Sequence, residues 1–365
     1  MIDPDELAAW LRLLETPGVG RDSARKLLSA FASPEGVFRA SAAAWRGVVG
    51  DKVAQALATL PPSLAALTAR TVVWLHAAPQ SRTTITLGDA LYPTALLETA
   101  DPPLMLYAQG RVAQLQVPSL AIVGSRNPTR QGIDNARAFA EHLGHAGLAV
   151  VSGLALGVDA AAHEGALCGP SGTLAVVGTG LDQVYPKRNA KLAQRIADEG
   201  LILSEYSLGT PPLPANFPIR NRIIAGLTRG TLVVEAALQS GSLITARLAS
   251  EAGRDVYAIP GSIHSPQSRG CHALIKQGAK LVDAAQDILE DLRMDSGASR
   301  KTQPAEPHAA DPLLDALGYD PVSLEALVSR TGWSAAQLNI QLLELELDGQ
   351  VVRLPGQLFQ RIAQS

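Results

Sequence analysis

Cysteine is nearly absent: Cys168 and Cys271 are the only two, far apart and in no C-x-x-C or metal-ligand spacing. A disulfide framework and a zinc site are therefore not indicated, and a reducing cytoplasm is the expected compartment. The seven histidines show no ligand spacing either, so no metal is expected. Aromatic residues make up only 4% of the chain, which leaves few surfaces for stacking. Positive charge is not in excess: Lys+Arg 31 against Asp+Glu 34 gives a net charge of −3. That balance excludes a protein coated in basic charge, so any nucleic-acid site must be a local cluster. No apolar run reaches the ~18 residues of a membrane span, and no membrane association is expected. Met1-Ile2-Asp3-Pro4-Asp5-Glu6 carries acids where a signal peptide needs a basic segment. Nothing matches G-x-x-x-x-G-K-[ST], and Gly178-Thr179-Gly180 lacks the spacing of a dinucleotide fingerprint, so no cofactor is expected. Ser152, Asp159 and His163 suggest a hydrolase triad only superficially. Asp159 and His163 stand at i and i+4 on one helix, where capping or a core hydrogen bond is the simpler role.

What is present is a globular balance, 47% hydrophobic and 18% charged, in a chain long enough for two or three domains. Residues 1–70 alternate apolar helical stretches with glycine turns and read as a small all-α domain. In it, Pro17-Gly18-Val19-Gly20 opens a helix, and Arg46–Ala54 loosely repeats the pattern, like a tandem helix-hairpin-helix. Such a turn either receives a DNA phosphate on free amides or simply connects helices. From Thr71 the texture becomes β-branched, with strands expected over Thr71–Leu75 and Thr83–Leu87. Continuous apolar strands at 120–123, 148–151, 173–177, 201–204, 231–234 and 256–259 then alternate with helical segments. Strands without polar alternation must be covered on both faces, so residues 71–292 are expected to form a doubly wound parallel α/β sheet. Residues 293–310, rich in Ser, Pro, Ala and charge, read as a linker. Residues 311–365 promise three helices and a hairpin, a winged helix.

Chemistry gathers where the apolar strands end. Gly124-Ser125-Arg126, Ser152-Gly153, Gly178-Thr179-Gly180 and Ser240-Gly241-Ser242 recur at strand carboxyl ends, which lie together in a wound sheet beside helix N-termini that favour anions. One such loop needs no ligand to explain it; four make a phosphate-binding rim. Cations join them: Arg126, Lys187 and the Arg220-Asn221-Arg222 triplet. The triplet has two readings, contact with a strand or internal scaffold, with one arginine pairing Glu235.

Taken in order, Gly124–Arg126, Ser152–His163, Gly178–Asn189, Phe217–Leu227, Val233–Ala236 and Ser240–Ala246 resemble the signature of the DprA/Smf family. The resemblance is strong over about Thr71–Leu292, moderate before it and weak in the winged helix. It implies an extended Rossmann-like doubly wound parallel sheet that binds single-stranded DNA, forms a homodimer and loads the RecA recombinase during natural transformation, and it implies no enzyme. Carried over by residue, it puts the DNA-contacting arginine at Arg126 and lysine at Lys187, with Ser152, Gly153, Asn189 and Asn221 nearby. It also tips Leu274, Ile275 and Leu281, which by themselves either finish the core or form an apolar edge, toward a dimer interface. Departures from the usual pattern are mild: Val158, Thr228 and His272. Phe217 and Tyr185 are the nearest stacking candidates, with core packing the simpler fate of Tyr185.

Two other classes compete. An enzyme hydrolysing a nucleotide-derived ligand would use Glu235 as acid or base, but no second carboxylate is evidently placed beside it. A transcription regulator would read DNA with the third C-terminal helix, Ser334–Asp348, which carries Glu344, Glu346 and Asp348 and no lysine or arginine.

Overall fold

The computed structural model describes residues 2–294 and 311–362, so the expected linker falls almost wholly outside the described residues. The chain divides into two compact units, Met1–Asp295 and Ser296–Ser365.

The first unit begins with helices α1 (Pro4–Glu15), α2 (Arg21–Phe31), α3 (Pro34–Arg39), α4 (Ala42–Leu57) and α5 (Leu64–Ala77). Side chains of Asp3, Ser33 and Ser41 accept backbone N–H groups at the starts of α1, α3 and α4, which is why these helices begin where they do. Gly50, at φ +78, breaks α4 at the second of the two glycine turns, a conformation that disfavours a side chain. Thr71–Leu75, expected as a strand, lies in α5. Its β-branched residues favour a strand only weakly. Buried Leu64, Leu67, Thr71, Trp74 and Leu75 recur at helical spacing, and packing overrides propensity. The chain therefore crosses residue 70 in mid-helix, and Trp74 packs edge-on to Tyr107, 6.0 Å between centroids, within a core shared by the helices and the sheet.

The sheet and its helices follow as β1 (Arg82–Thr86), α6 (Thr94–Leu97), β2 (Met105–Gly110), β3 (Ser119–Val123), α7 (Arg130–His145), β4 (Ala149–Ser152), α8 (Val158–Ala166), β5 (Thr173–Val177), α9 (Ala190–Glu199), β6 (Leu201–Ser204), α10 (Asn216–Leu227), β7 (Gly230–Val233), α11 (Ser242–Glu251), β8 (Asp255–Ala258), α12 (Arg269–Lys276), β9 (Lys280–Leu281) and α13 (Ala285–Asp291). Among the described residues nine strands of one sheet lie in the order β1-β2-β6-β5-β4-β3-β7-β8-β9. From β6 to β9 all neighbours are parallel, while β2 joins β6 and β1 joins β2 antiparallel. Strands β3 to β7 are buried along their whole length between two apolar layers, as their unbroken hydrophobic sequences require. The extended, doubly wound class is as expected. The chain leaves β3 toward β6 and returns to β7 on the other side, so the sheet's switch point lies between β3 and β7.

The second unit is a winged helix: α14 (Pro312–Leu317), β10 (Val322–Ser323), α15 (Leu324–Thr331), α16 (Ala335–Leu347), β11 (Val351–Leu354) and β12 (Leu358–Arg361), with strand order β10-β12-β11. Asp311, Ser323 and Ser334 cap its three helices as their sequence positions foretell. Among the described residues no helix is long and apolar enough to cross a membrane.

Candidate nucleic-acid interface

A crevice of about 640 Å³ opens at the switch point. The loop after β3 supplies Gly124, Ser125, Arg126 and Asn127, and the loop after β7 supplies Gln239, Ser240, Gly241 and Ser242. The first turns of α10 and α11 also line it, and neither helix has a side-chain cap. The Ser242, Leu243 and Ile244 amides of α11 are taken by Ser240 and Gly241, so the polar floor suited to anions comes from the two loops and the uncapped start of α10.

Its wall is partly aromatic. Arg126 is exposed and places its guanidinium 5.8 Å from the centre of the Phe217 ring, and Tyr185 lies 5.5 Å from the same ring. Tyr185 is 43% exposed, against the expectation that it packs in the core, and residues 182–184 leading to it are exposed as well. The Gly178–Gly180 loop lies behind this wall rather than in it: a Cβ on Gly178 would come 3.1 Å from Phe217, so glycine there seats the ring. Lys187 is exposed on the turn after Tyr185-Pro186, beyond the residues that line the crevice.

Several polar residues of the expected site are framework. Ser152 is fully buried and donates to the Ile122 carbonyl at 2.6 Å. Asn189 is buried and donates to the carbonyls of Leu154 and Ala155. Ser125 accepts the Asn127 amide at 3.1 Å, shaping the first loop. Ser240 and Ser242 join hydroxyls at 2.7 Å, and Asn221 reaches the Gly241 carbonyl at 3.5 Å, tying α10 to the loop before α11.

The Arg220–Arg222 triplet divides. Arg220 is buried beneath the crevice, donates to the Val176 carbonyl and lies across Gly153, where any Cβ would strike its guanidinium. Asp159 faces it from below, accepting the amides of Gly153 and Ala155. Burial pushes the Asp159 carboxyl up, with Arg220 and those amides opposing, and burial draws Arg220 down to about 10. Arg222 turns away from the crevice and bonds both oxygens of Glu205, with Asp101 at 3.2 Å. Asp101 in turn takes Arg21 at 2.7 Å and Arg25 at 2.5 Å from the first-turn side of α2. Burial alone would raise Asp101, but Arg25, Arg222 and Arg21 together hold it below the usual carboxylate range. Neither arginine of the triplet pairs with Glu235, the partner that the scaffold reading named; the partners are Val176, Glu205 and Asp101. Glu235 instead accepts the Thr129 amide and hydroxyl, at 2.9 and 2.5 Å, fixing the start of α7. His163 is a core residue, as its spacing from Asp159 suggests, with Nδ1 2.7 Å from the Thr173 hydroxyl.

Sequence reasoning missed the crevice's Pro212 and Pro214, Gln239 and Gln267. The proline run before Phe217 was the available signal; the two glutamines offer none. The edge residues also separate: Leu274 and Ile275 pack partly against the main core, whereas Leu281 on β9 is exposed. Among the described residues no group of three or more His, Cys, Asp or Glu could hold a metal ion.

Comparison with known proteins is consistent with this architecture. The family profile described as DNA recombination-mediator protein A matches residues 83–293, and that of the DprA winged helix domain matches residues 297–357. Protein Smf of Escherichia coli (strain K12) is 43% identical over 282 residues, 74% of this chain and 75% of that protein. DNA processing protein DprA of Streptococcus pneumoniae (strain ATCC BAA-255 / R6) is 50% identical over 204 residues, 56% and 72% of the two chains. The X-ray structure of DprA from Streptococcus pneumoniae superposes with a TM-score of 0.65 at 38% identity, covering 80% of this chain and 98% of that one. DNA processing protein A from Helicobacter pylori, whose structure gives insight into a unique single-stranded DNA binding mode, superposes with a TM-score of 0.54 at 35% identity, covering 59% and 97%. With one profile spanning more than half of its length and relatives this similar over most of theirs, the chain belongs to the DNA recombination-mediator protein A (DprA/Smf) family.

Proposed function

We propose that this protein binds single-stranded DNA across the switch-point crevice, works as a homodimer in the cytoplasm, and hands the strand to a RecA-type recombinase during DNA uptake or recombination. The observation that carries strand binding is the crevice wall: an exposed guanidinium against Phe217, with Tyr185 beside the same ring, over a floor formed by the two polar loops and the start of α10. A phosphate can lie on the floor near Arg126 while a base lies on the aromatic wall. Lys187 extends the charge along the rim. Both cations are exposed and carried on loops, which suits a flexible single strand without sequence choice better than a rigid groove. The recombinase step is supported by family membership and by the need of a bound strand for a partner that uses it. Catalysis is not needed for this role, and Glu235, the residue an enzyme reading would use, has both oxygens engaged at Thr129.

Titration of single- and double-stranded oligonucleotides at several salt concentrations tests the reading. Single strands should bind more tightly, with log affinity falling by about 0.7 per decade of salt for each phosphate neutralised. Arg126→Ala and Lys187→Ala should each weaken binding and flatten that slope, and Phe217→Ala should cost about 1–3 kcal/mol. Removing residues 310–365 should leave most of the affinity. Unchanged binding in the Arg126→Ala/Lys187→Ala double variant would move the site elsewhere.

A further inference from the structure

Helix α16 holds the position that in a winged helix enters a DNA groove, but its free face is built differently. Its inner row, Leu338, Leu342 and Leu345, is buried in the core of the second unit. A second apolar row runs along the opposite side: Ala336, Ile340, Leu343 and Leu347, at steps of four, three and four residues. At 100° per residue these four fall within an arc of about 60°, turned roughly half a revolution from the buried row. Ile340 is 62% exposed, Leu343 56% and Leu347 79%. The steps are those of a coiled-coil seam, with Ile340 and Leu347 at a positions and Leu343 at d. The flanking e and g positions are Gln337, Asn339, Glu344 and Glu346, Asp348 follows the helix, and no lysine or arginine occurs from Ala335 to Asp348.

A polyanion is repelled by this face. A second copy of α16 is a poor partner too, because self-pairing sets Glu344 and Glu346 against the same acids or against neutral Gln337 and Asn339, with no cation on the helix to offset them. We propose that α16 docks an amphipathic helix of another protein, one with an apolar heptad seam flanked by lysine or arginine. The seam supplies apolar burial and the acids select the partner. The helix is about 20 Å long, so the contact is short, and its flanking charges are exposed enough to make it salt-sensitive. This docking is independent of strand binding in the crevice.

The test uses the full chain and fluorescently labelled helical peptides about three heptads long. One carries an Ile/Leu seam with Lys at e and g, a second the same seam with Glu at e and g, and a third the Lys flanks with Ser in the seam. The Lys-flanked apolar peptide should bind at least ~10-fold more tightly than either control and weaken as salt rises. Leu343→Asp should reduce that binding at least ~10-fold, and Glu344→Lys/Glu346→Lys should reverse the preference toward the Glu-flanked peptide. Thermal melting checks that the second unit remains folded; should Leu343→Asp unfold it, Leu347→Asp at the exposed helix end replaces it. Equal affinity for the Lys- and Glu-flanked peptides, or binding that survives both apolar substitutions, overturns the proposal. A chain that self-associates and loses that association on Leu343→Asp also overturns it, by giving the face to a second copy.

Discussion

His163 shows how one residue on the buried side of α8 constrains the whole. Thr173 gives its hydroxyl proton to the Val150 carbonyl at 2.7 Å, so His163 Nδ1–H donates to Thr173 Oγ1 and Nε2 carries the lone pair. Nε2 is buried with no partner among the described residues. Protonation would place an unpaired N–H and a charge in the core; burial first, and then Arg220, lower its pKa to about 3. Between pH 6.5 and 3 the unfolded chain therefore binds a proton that the folded chain does not, and stability falls as pH drops below 6.5. The expected contribution is about 1.4 kcal/mol per pH unit. Denaturant unfolding between pH 6.5 and 5 should show this slope, and His163→Gln should flatten it even though it lowers stability at pH 7. An unchanged slope would place the proton elsewhere. Asp159, raised by burial, acts with the opposite sign, so the histidine's share is read from the difference between the unaltered chain and His163→Gln rather than from the slope alone. At this scale the sequence was informative about type and poor about direction. The exposure of Arg126 and Lys187 was legible, because a cation that follows an apolar strand or a proline turn has no buried partner to reach. Ser152 and Asn189 were not, since one step along a chain decides whether a polar group faces a crevice or a neighbouring carbonyl.

At the scale of elements, α10 does the most and was read least. It carries Phe217 on the crevice wall, Arg220 beneath the floor and Arg222 toward the helical bundle, one residue type serving opposite faces of one helix. Its sequence hid it because Pro218 suggests a break. In the first turn a missing N–H breaks no helix bond, so proline is tolerated there. The strand β2 was likewise unread, since it follows Pro102-Pro103 and its alternation is masked by burial at nearly every position. The six parallel strands from β3 to β8 were legible, because burial on both faces leaves a continuous apolar run that few other environments produce. The division of α10 yields a paired expectation. Arg222→Ala leaves the largely buried Glu205 facing only Arg21, at 4.0 Å, and should destabilise by about 2–3 kcal/mol, below the 3–5 of a fully buried pair because Asp101 is partly exposed. Its salt slope for single strands should stay unchanged. Arg126→Ala should do the reverse, losing affinity at constant melting temperature. A large loss of affinity in folded Arg222→Ala would mean that the ion cluster, and not the crevice wall, meets DNA.

For the whole molecule the question is what covers the far end of the sheet. At the β1 end helix α5 packs alongside, while at the other end the last strand, β9, is two residues long and pairs only with β8 among the described residues. Short edge strands are one way proteins avoid uncontrolled pairing, and a short edge bearing an exposed apolar residue suits a closed two-fold contact. Leu281 is that residue, 47% exposed, between Lys280, which is bonded to Asp291 at 2.7 Å, and the fully buried Val282. Leu274 and Ile275 pack partly against the main core, so a charge at either disturbs folding as well as any interface. Leu281→Arg is the cleaner probe of the proposed homodimer, because its side chain is free to stay in water in the monomer. Across a two-fold axis each introduced guanidinium meets its own copy, and the repulsion falls on both halves of the contact at once. Sedimentation should show a folded monomer whose affinity for one short strand at Arg126 and Lys187 matches the unaltered chain, while bridging of two strands is lost. A dimer that persists in Leu281→Arg would place the two-fold contact on another face.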